Sequence, residues 1–327
     1  MAERSIIDQL DDAVSALLAE REPAVSKTDR ELTELVAVAR ELRGLPSEQF
    51  RAALKGQLGG KKDMSAAAKQ IESTPPKSKK YKRGGLHTVT PYIIAKPAVE
   101  LVDFVKQAFG AVESFRSTGS AGGLHCEVKI GDSVVMIGGG PNFEERPVAI
   151  HYYVSDVDQV YANAMTAGAT SLGEPSDQEY GERIAAVKDI GGNEWYIATR
   201  LDPTPIQDLH KLAVYFHPVG APRFIDFLQN AFGAEVVERH QSNEGFVYHA
   251  KVRIGDSIVE MGEAHDQWQP MPSAIYMYVE DVDATYKQAL NAGATSALEP
   301  TNQPYGDRTA WVNDEFGNVW YLSTWLG

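Results

Sequence analysis

Hydrophobic positions along the chain change their period near residue 86. Before it, Ile6, Ile7, Leu10, Val14, Leu17 and Leu18 share one face at helical spacing. A second helix opens on the capping box Thr28-Asp29-Arg30-Glu31 and carries Leu32, Leu35, Val36, Ala39 and Leu42. A third follows Pro46-Ser47, aligns Phe50, Ala53, Leu54 and Leu58, and stops at Gly59-Gly60. Residues 1–58 thus read as a small helical segment without His or Cys. From Leu86 the pattern becomes short β runs broken by single helices. "TVTPYIIA" reads as a strand, Ala98 to Phe109 as a helix, and three strands follow through Ile137. "AIHYYVSD" starts the cycle again, with a helix from Val157 to Ala167 and closing strands. Gly110 and Gly168 stand where a helix C-cap needs positive φ.

The same order then recurs. "VELVDFVKQAFGAVESFRS" pairs with "PRFIDFLQNAFGAEVVERH", "LHCEVKIGDSVVMIGG" with "YHAKVRIGDSIVEMGE", and "GGNEWYI" with "FGNVWYL". The offset is 123 at Phe109/Phe232 and 125 at Tyr196/Tyr321, so register is kept over the whole unit. The expected organisation is a helical segment (1–58), a basic flexible linker (59–86), a first repeat (87–200), a linker with Pro203 and Pro205 (201–209) and a second repeat (210–327). Each repeat reads as two βαβββ halves, an α+β class.

Charge narrows the function. The net charge of −14 argues against a general nucleic-acid binder. Residues 60–87 hold eight Lys/Arg against Asp63 and Glu72, a net +6 in an otherwise acidic chain. Such a run reads first as a solvated linker. The single cysteine, Cys126, rules out an intramolecular disulfide and fits a reducing cytoplasm. No apolar stretch reaches membrane-spanning length, and the acidic start lacks a secretory n-region. The expectation is a cytoplasmic protein without nucleic-acid or membrane partners.

The segments "TPYIIAKPAVELVDFVKQAFGA", "YVSDVDQVYANAMTAGAT" and "YGERIAAVKDIGGNEWYI" resemble the glyoxalase/bleomycin-resistance/extradiol-dioxygenase (vicinal oxygen chelate) superfamily, in particular its PhnB-like branch. The resemblance implies tandem glyoxalase-like domains. In each, two βαβββ modules form a curved eight-stranded sheet around a cleft. It also implies a metal held by side chains on the first, fourth, fifth and eighth strands. Those positions fall at Thr90, Met136, Ala149 and Tyr196 in the first repeat, and at Ala213, Glu260, Ala274 and Tyr321 in the second. Only Glu260 is a ligand type, so no cofactor is expected, and a metal only through an atypical site.

Strand alternation puts His151, Tyr92, Tyr153 and Tyr196 on the cleft face of the first repeat, and Tyr215, Tyr276, Tyr278, Tyr321 and Glu260 on that of the second. Tyrosines on a sheet face serve packing or ligand contact equally well. His151 and Glu260 are the candidates for acid/base chemistry. Arg183 and Arg308, beside Glu182 and Asp307 in "YGER" and "YGDR", are candidates for holding a carboxylate, of the protein or of a ligand. His125 and His249 form a repeated pair that reads as packing or a structural hydrogen bond, ahead of metal binding, and Cys126 reads as an inert thiol. The leading reading is small-molecule binding without a metal. The alternative is a lyase, isomerase or dioxygenase, metal-assisted or acid/base. A regulatory protein is a third, in which residues 1–83 alone would capture a protein partner. The sequence leaves both monomer and homodimer open.

Overall fold

A computed structural model describes residues 81–327, apart from 120, 121, 203 and 267. The helical segment 1–58 and most of the basic linker lie outside the described residues.

The first repeat opens with β1 (Val89–Ile94), α1 (Ala98–Phe109), β2 (Val112–Thr118), β3 (Leu124–Ile130) and β4 (Ser133–Gly139). Its second module is β5 (Ala149–Tyr153), α2 (Val157–Thr166), β6 (Thr170–Gln178), β7 (Glu182–Lys188) and β8 (Glu194–Arg200). The second repeat follows suit: β9 (Leu212–Phe216), α3 (Ala221–Phe232), β10 (Glu235–Gln241), β11 (Val247–Ile254) and β12 (Ser257–Met261). It ends with β13 (Ala274–Tyr278), α4 (Val282–Asn291), β14 (Thr295–Asn302), β15 (Asp307–Asn313) and β16 (Val319–Trp325). The βαβββ order expected from the sequence therefore holds four times. Gly110 and Gly233 close α1 and α3 at φ 65° and 66°, a left-handed cap that favours glycine. Asp156 and Asp281 cap α2 and α4 by accepting the amides of Gln159 and Ala284.

The modules pair differently from the sequence expectation. Two eight-stranded sheets form, in the orders β14-β15-β16-β13-β1-β4-β3-β2 and β10-β11-β12-β9-β5-β8-β7-β6. Each sheet takes one module from each repeat. The seams are antiparallel, β1 on β13 with Thr90 opposite Tyr276, and β5 on β9 with His151 opposite Ala213. The two clefts thus do not correspond to the two repeats. Either choice of partner satisfies the free edge of a module's first strand, so the hydrophobic pattern alone does not distinguish them.

Strand alternation splits the apolar residues into layers. Ile93, Ile137, Ile150, Ile275, Trp195 and Trp320 point to the helices and share one core with Leu101, Phe104 and Val105 of α1. Met136, Tyr276 and Tyr278 face the opposite side of one sheet, and Ala149, Ala186 and Tyr196 that of the other. The repeated "D-x-x-G-N-x-W-Y" builds this division. Asp189 accepts from Trp195 Nε1 (2.8 Å) and Asn193 Nδ2, while Asn193 Oδ1 accepts the Val148 amide at the head of β5. Asp314, Asn318, Trp320 and Ser273 repeat the arrangement. The Trp is thereby fixed in the core and the following Tyr faces the cleft.

Because each repeat holds only half of each sheet, residues 84–209 expressed alone should self-associate into a dimer that pairs β1 and β5 across copies. Sedimentation of that fragment checks this; a folded monomer at micromolar concentration contradicts it.

Candidate functional site

Sheet pairing assembles cleft one on β1, β4, β13 and β16, and cleft two on β5, β8, β9 and β12. In cleft two the pairing brings His151 of the first repeat to Glu260 of the second. His151 Nδ1 lies 3.1 Å from Glu260 Oε2. The same oxygen receives His249 Nε2 at 2.9 Å, and Tyr153 Oη donates to Glu260 Oε1 at 2.7 Å. The His151 ring stacks on Tyr153, centroids 4.4 Å apart. Glu260 is fully buried and His151 is 4% exposed.

Burial alone would raise the Glu260 carboxyl. The charge and hydrogen bond of His151, with the hydrogen bond and charge of His249, outweigh it and hold the group well below the usual carboxylate range. Burial and the Glu260 charge push the Tyr153 phenol well above 10, so it stays a donor. His151 Nδ1 is taken up by Glu260, which leaves Nε2 as the free nitrogen of the ring. That Nε2 is buried, has no hydrogen-bond partner, and lies 3.7 Å from Glu182 Oε2. Such an atom suits transfer of a proton to or from a bound molecule.

The other end of the cleft is aromatic. Tyr196 Oη donates to Glu194 Oε2 (2.8 Å) and also lies 2.8 Å from His217 Nε2. Tyr215 lies between Tyr196 and His217, at 5.1 and 4.9 Å between centroids. Trp268, on the β12–β13 connection, stacks on His217 (5.7 Å, 9°) and meets Tyr196 edge-on, closing this end. Burial lowers the His217 imidazole to about 4, so it is neutral at pH 7, and its Nδ1 has no partner.

Cleft one carries the same scaffold with other side chains. Met136 stands where cleft two has Glu260, and Tyr276 where it has His151. Tyr276 and Tyr278 both donate to Asp307 Oδ2 at 2.9 Å. Tyr92 and Tyr321 pack together at 5.3 Å. The segment leading into β1 lies on this face: Tyr81 and Leu86 pack on the tyrosines. Arg83 Nε donates to Tyr278 Oη (2.8 Å), and its Nη2 pairs with Glu127. The end of the basic linker is therefore packed here, in contrast to the flexible linker expected through residue 86.

Arg183 and Arg308 are not brought to either cleft. Arg183 binds Asp158 and Asp177, and Arg308 binds Asp283 and Asn302, beside the helices. Each thus holds a protein carboxylate, one of the two roles open to it, while alternation turns the neighbours Glu182 and Asp307 inward. His249 is a cleft residue hydrogen-bonded to Glu260, and His125 lies edge-on to Tyr92 in the other cleft. Cys126 is buried and its thiol is pushed up to about 11, chiefly by burial. Glu182, Glu194, His217 and Trp268 were not singled out from the sequence as site residues. A signal existed for His217, two residues beyond Tyr215 on the same alternation.

The family's metal positions, regrouped by the observed pairing, are Ala213, Glu260, Ala149 and Tyr196 in cleft two, and Thr90, Met136, Ala274 and Tyr321 in cleft one. Neither set fits a catalytic divalent ion. Beside these positions, His151 Nδ1 and His249 Nε2 lie 3.1 and 2.9 Å from the same Glu260 oxygen, so two imidazoles and one carboxylate gather in cleft two outside the family's own ligand pattern.

The family model described as Glyoxalase/Bleomycin resistance protein/Dioxygenase superfamily matches residues 220–322. Uncharacterized proteins of Mycobacterium bovis and Mycobacterium tuberculosis are 33% identical over 120 residues, which is 33% of this chain and 79% and 71% of theirs. The chain belongs to the glyoxalase/bleomycin resistance/dioxygenase superfamily. Glyoxalase I from Zea mays has the same fold, with a TM-score of 0.54 at 15% identity, covering 72% of this chain and 92% of that one. A variant of that enzyme scores 0.56 at the same identity and covers 94% of its chain.

His217 has a folded pKa of about 4 against 6.5 when exposed, so the unfolded chain takes up the proton first as pH falls. Its contribution is present above pH 6.5 and is lost as pH drops towards 4. Between pH 7.5 and 5 that amounts to about 2 kcal/mol. Urea unfolding at both pH values should show this loss, and His217→Gln should remove most of it.

Proposed function

We propose that the protein binds a small aromatic or amphipathic molecule in cleft two and acts on it, if it turns it over, by proton transfer at His151. The carrying observation is the buried His151–Glu260 pair with an unpartnered Nε2, on a sheet face whose other end is aromatic. Glu260 orients the ring and stabilises its protonated form, Tyr153 holds the carboxylate, and Tyr196, Tyr215 and Trp268 supply stacking surface. Positioned acid–base catalysis of this kind contributes about 10²–10⁴-fold. The reaction classes that need such a group are lyase and isomerase steps that begin by moving a proton. This reading uses no divalent metal, on the ground that only Glu260 among the family's ligand positions is a ligand type. A cytoplasmic location and kinship with the PhnB-like branch belong to the proposal as well.

Screening small aromatic and amphipathic carbonyl compounds by quenching of tryptophan emission, on chelator-treated protein, tests it. Binding of one equivalent per chain is expected, and His151→Ala should weaken it at least tenfold. Binding that chelator abolishes, one equivalent of Mn²⁺ or Fe²⁺ restores, and Glu260→Gln prevents would contradict the reading. For any compound that turns over, His151→Ala should lower kcat by at least 10²-fold and Glu260→Gln by roughly 10-fold or more.

A further inference from the structure

The clefts leave one group of titratable side chains unused. His87 and His210 hold equivalent places in the two repeats, each after a leucine and ahead of a first strand. Packing brings their rings face to face, centroids 3.4 Å apart and planes 13° from parallel. His87 Nε2 lies 2.9 Å from the Asp132 carbonyl, and His210 Nε2 2.7 Å from the Asp256 carbonyl. A carbonyl only accepts, so both rings carry their proton on Nε2 and present Nδ1 as a bare lone pair. Asp132 Oδ2 lies 3.6 Å from His210 Nδ1. One ring nitrogen of each histidine and one Asp132 oxygen all lie within 4.8 Å of one another.

Two imidazoles and one carboxylate thus gather at one place. The arrangement is anchored: Asp132 Oδ1 accepts from Ser133 Oγ and the Lys211 amide. The equivalent Asp256 is occupied differently, by Lys82 and the Thr88 amide. A cavity of about 10 Å³, lined by both imidazoles, Ser133 and Ser257, opens between the strands behind the pair. Imidazoles whose far N–H is fixed on a backbone carbonyl are oriented as metal-bound histidines are.

We propose that His87, His210 and Asp132 bind one divalent cation of the Zn²⁺, Ni²⁺ or Co²⁺ class at the junction between the repeats. Imidazole nitrogen with one carboxylate selects these ions over Mg²⁺ or Ca²⁺. Bound there, the ion ties the lead into β1 to the lead into β9, and because imidazole binds a metal only when unprotonated, binding weakens in acid.

The test uses the full chain without an affinity tag. Co²⁺ absorbance and Zn²⁺ calorimetry should report one ion per chain, a raised melting temperature, and little effect of Mg²⁺. His87→Gln and His210→Gln retain an amide donor for the carbonyl and remove the free ring nitrogen; each should weaken binding at least tenfold. Asp132→Asn, at an exposed position, should also weaken it and keeps the test open if a histidine variant misfolds. Glu260→Gln should leave binding unchanged. The proposal is overturned by the absence of a stoichiometric ion, by wild-type affinity in all three variants, or by loss of binding in Glu260→Gln alone.

Discussion

Two antiparallel seams, β1 on β13 and β5 on β9, determine what the rest of the molecule can do. A module's first strand has an open edge, and the seam satisfies its N–H and C=O groups with the strand of the other repeat. Glu260 reaches His151 only because of this choice. Had each repeat closed on itself, as the sequence suggested, the two residues would lie on different sheets, and His151 would face a Met and two tyrosines.

The cross-pairing also let one scaffold become two different faces. Each cleft contains side chains from both repeats, so substitutions in one copy are read against a partner in the other. Met136 against Glu260 and Tyr276 against His151 leave cleft one with tyrosines bonded to Asp307 and covered by Tyr81, Arg83 and Leu86. Cleft two keeps two imidazoles around a buried carboxylate. Desolvating that carboxylate is expensive unless it is fully bonded, and three donors on two oxygens meet the requirement. The unpartnered His151 Nε2 is what remains available for chemistry.

The modules and the glycine helix caps were legible in the sequence. Their signals are local: a period of two or 3.6, and a glycine after a helix. Which module pairs with which was not legible, because equivalent strands have the same edge and the same alternation. That ambiguity spread to the site. His151 and Glu260 were each read from the sequence as cleft-facing, yet in separate clefts, and no second titratable group was seen beside His151. Arg183 drew attention from its neighbour Glu182, although adjacent strand residues face opposite sides. The His87–His210 pair was visible as an equivalence between repeats, but its stacking depends on how the repeats meet.

The central claim is that His151 and Glu260 interact across the repeats. A double-mutant cycle on unfolding free energy, with His151→Ala, Glu260→Gln and the double variant, measures it most directly. A coupling of about 1–3 kcal/mol is predicted for a buried, charge-assisted hydrogen bond. Strict additivity of the two substitutions would contradict the account.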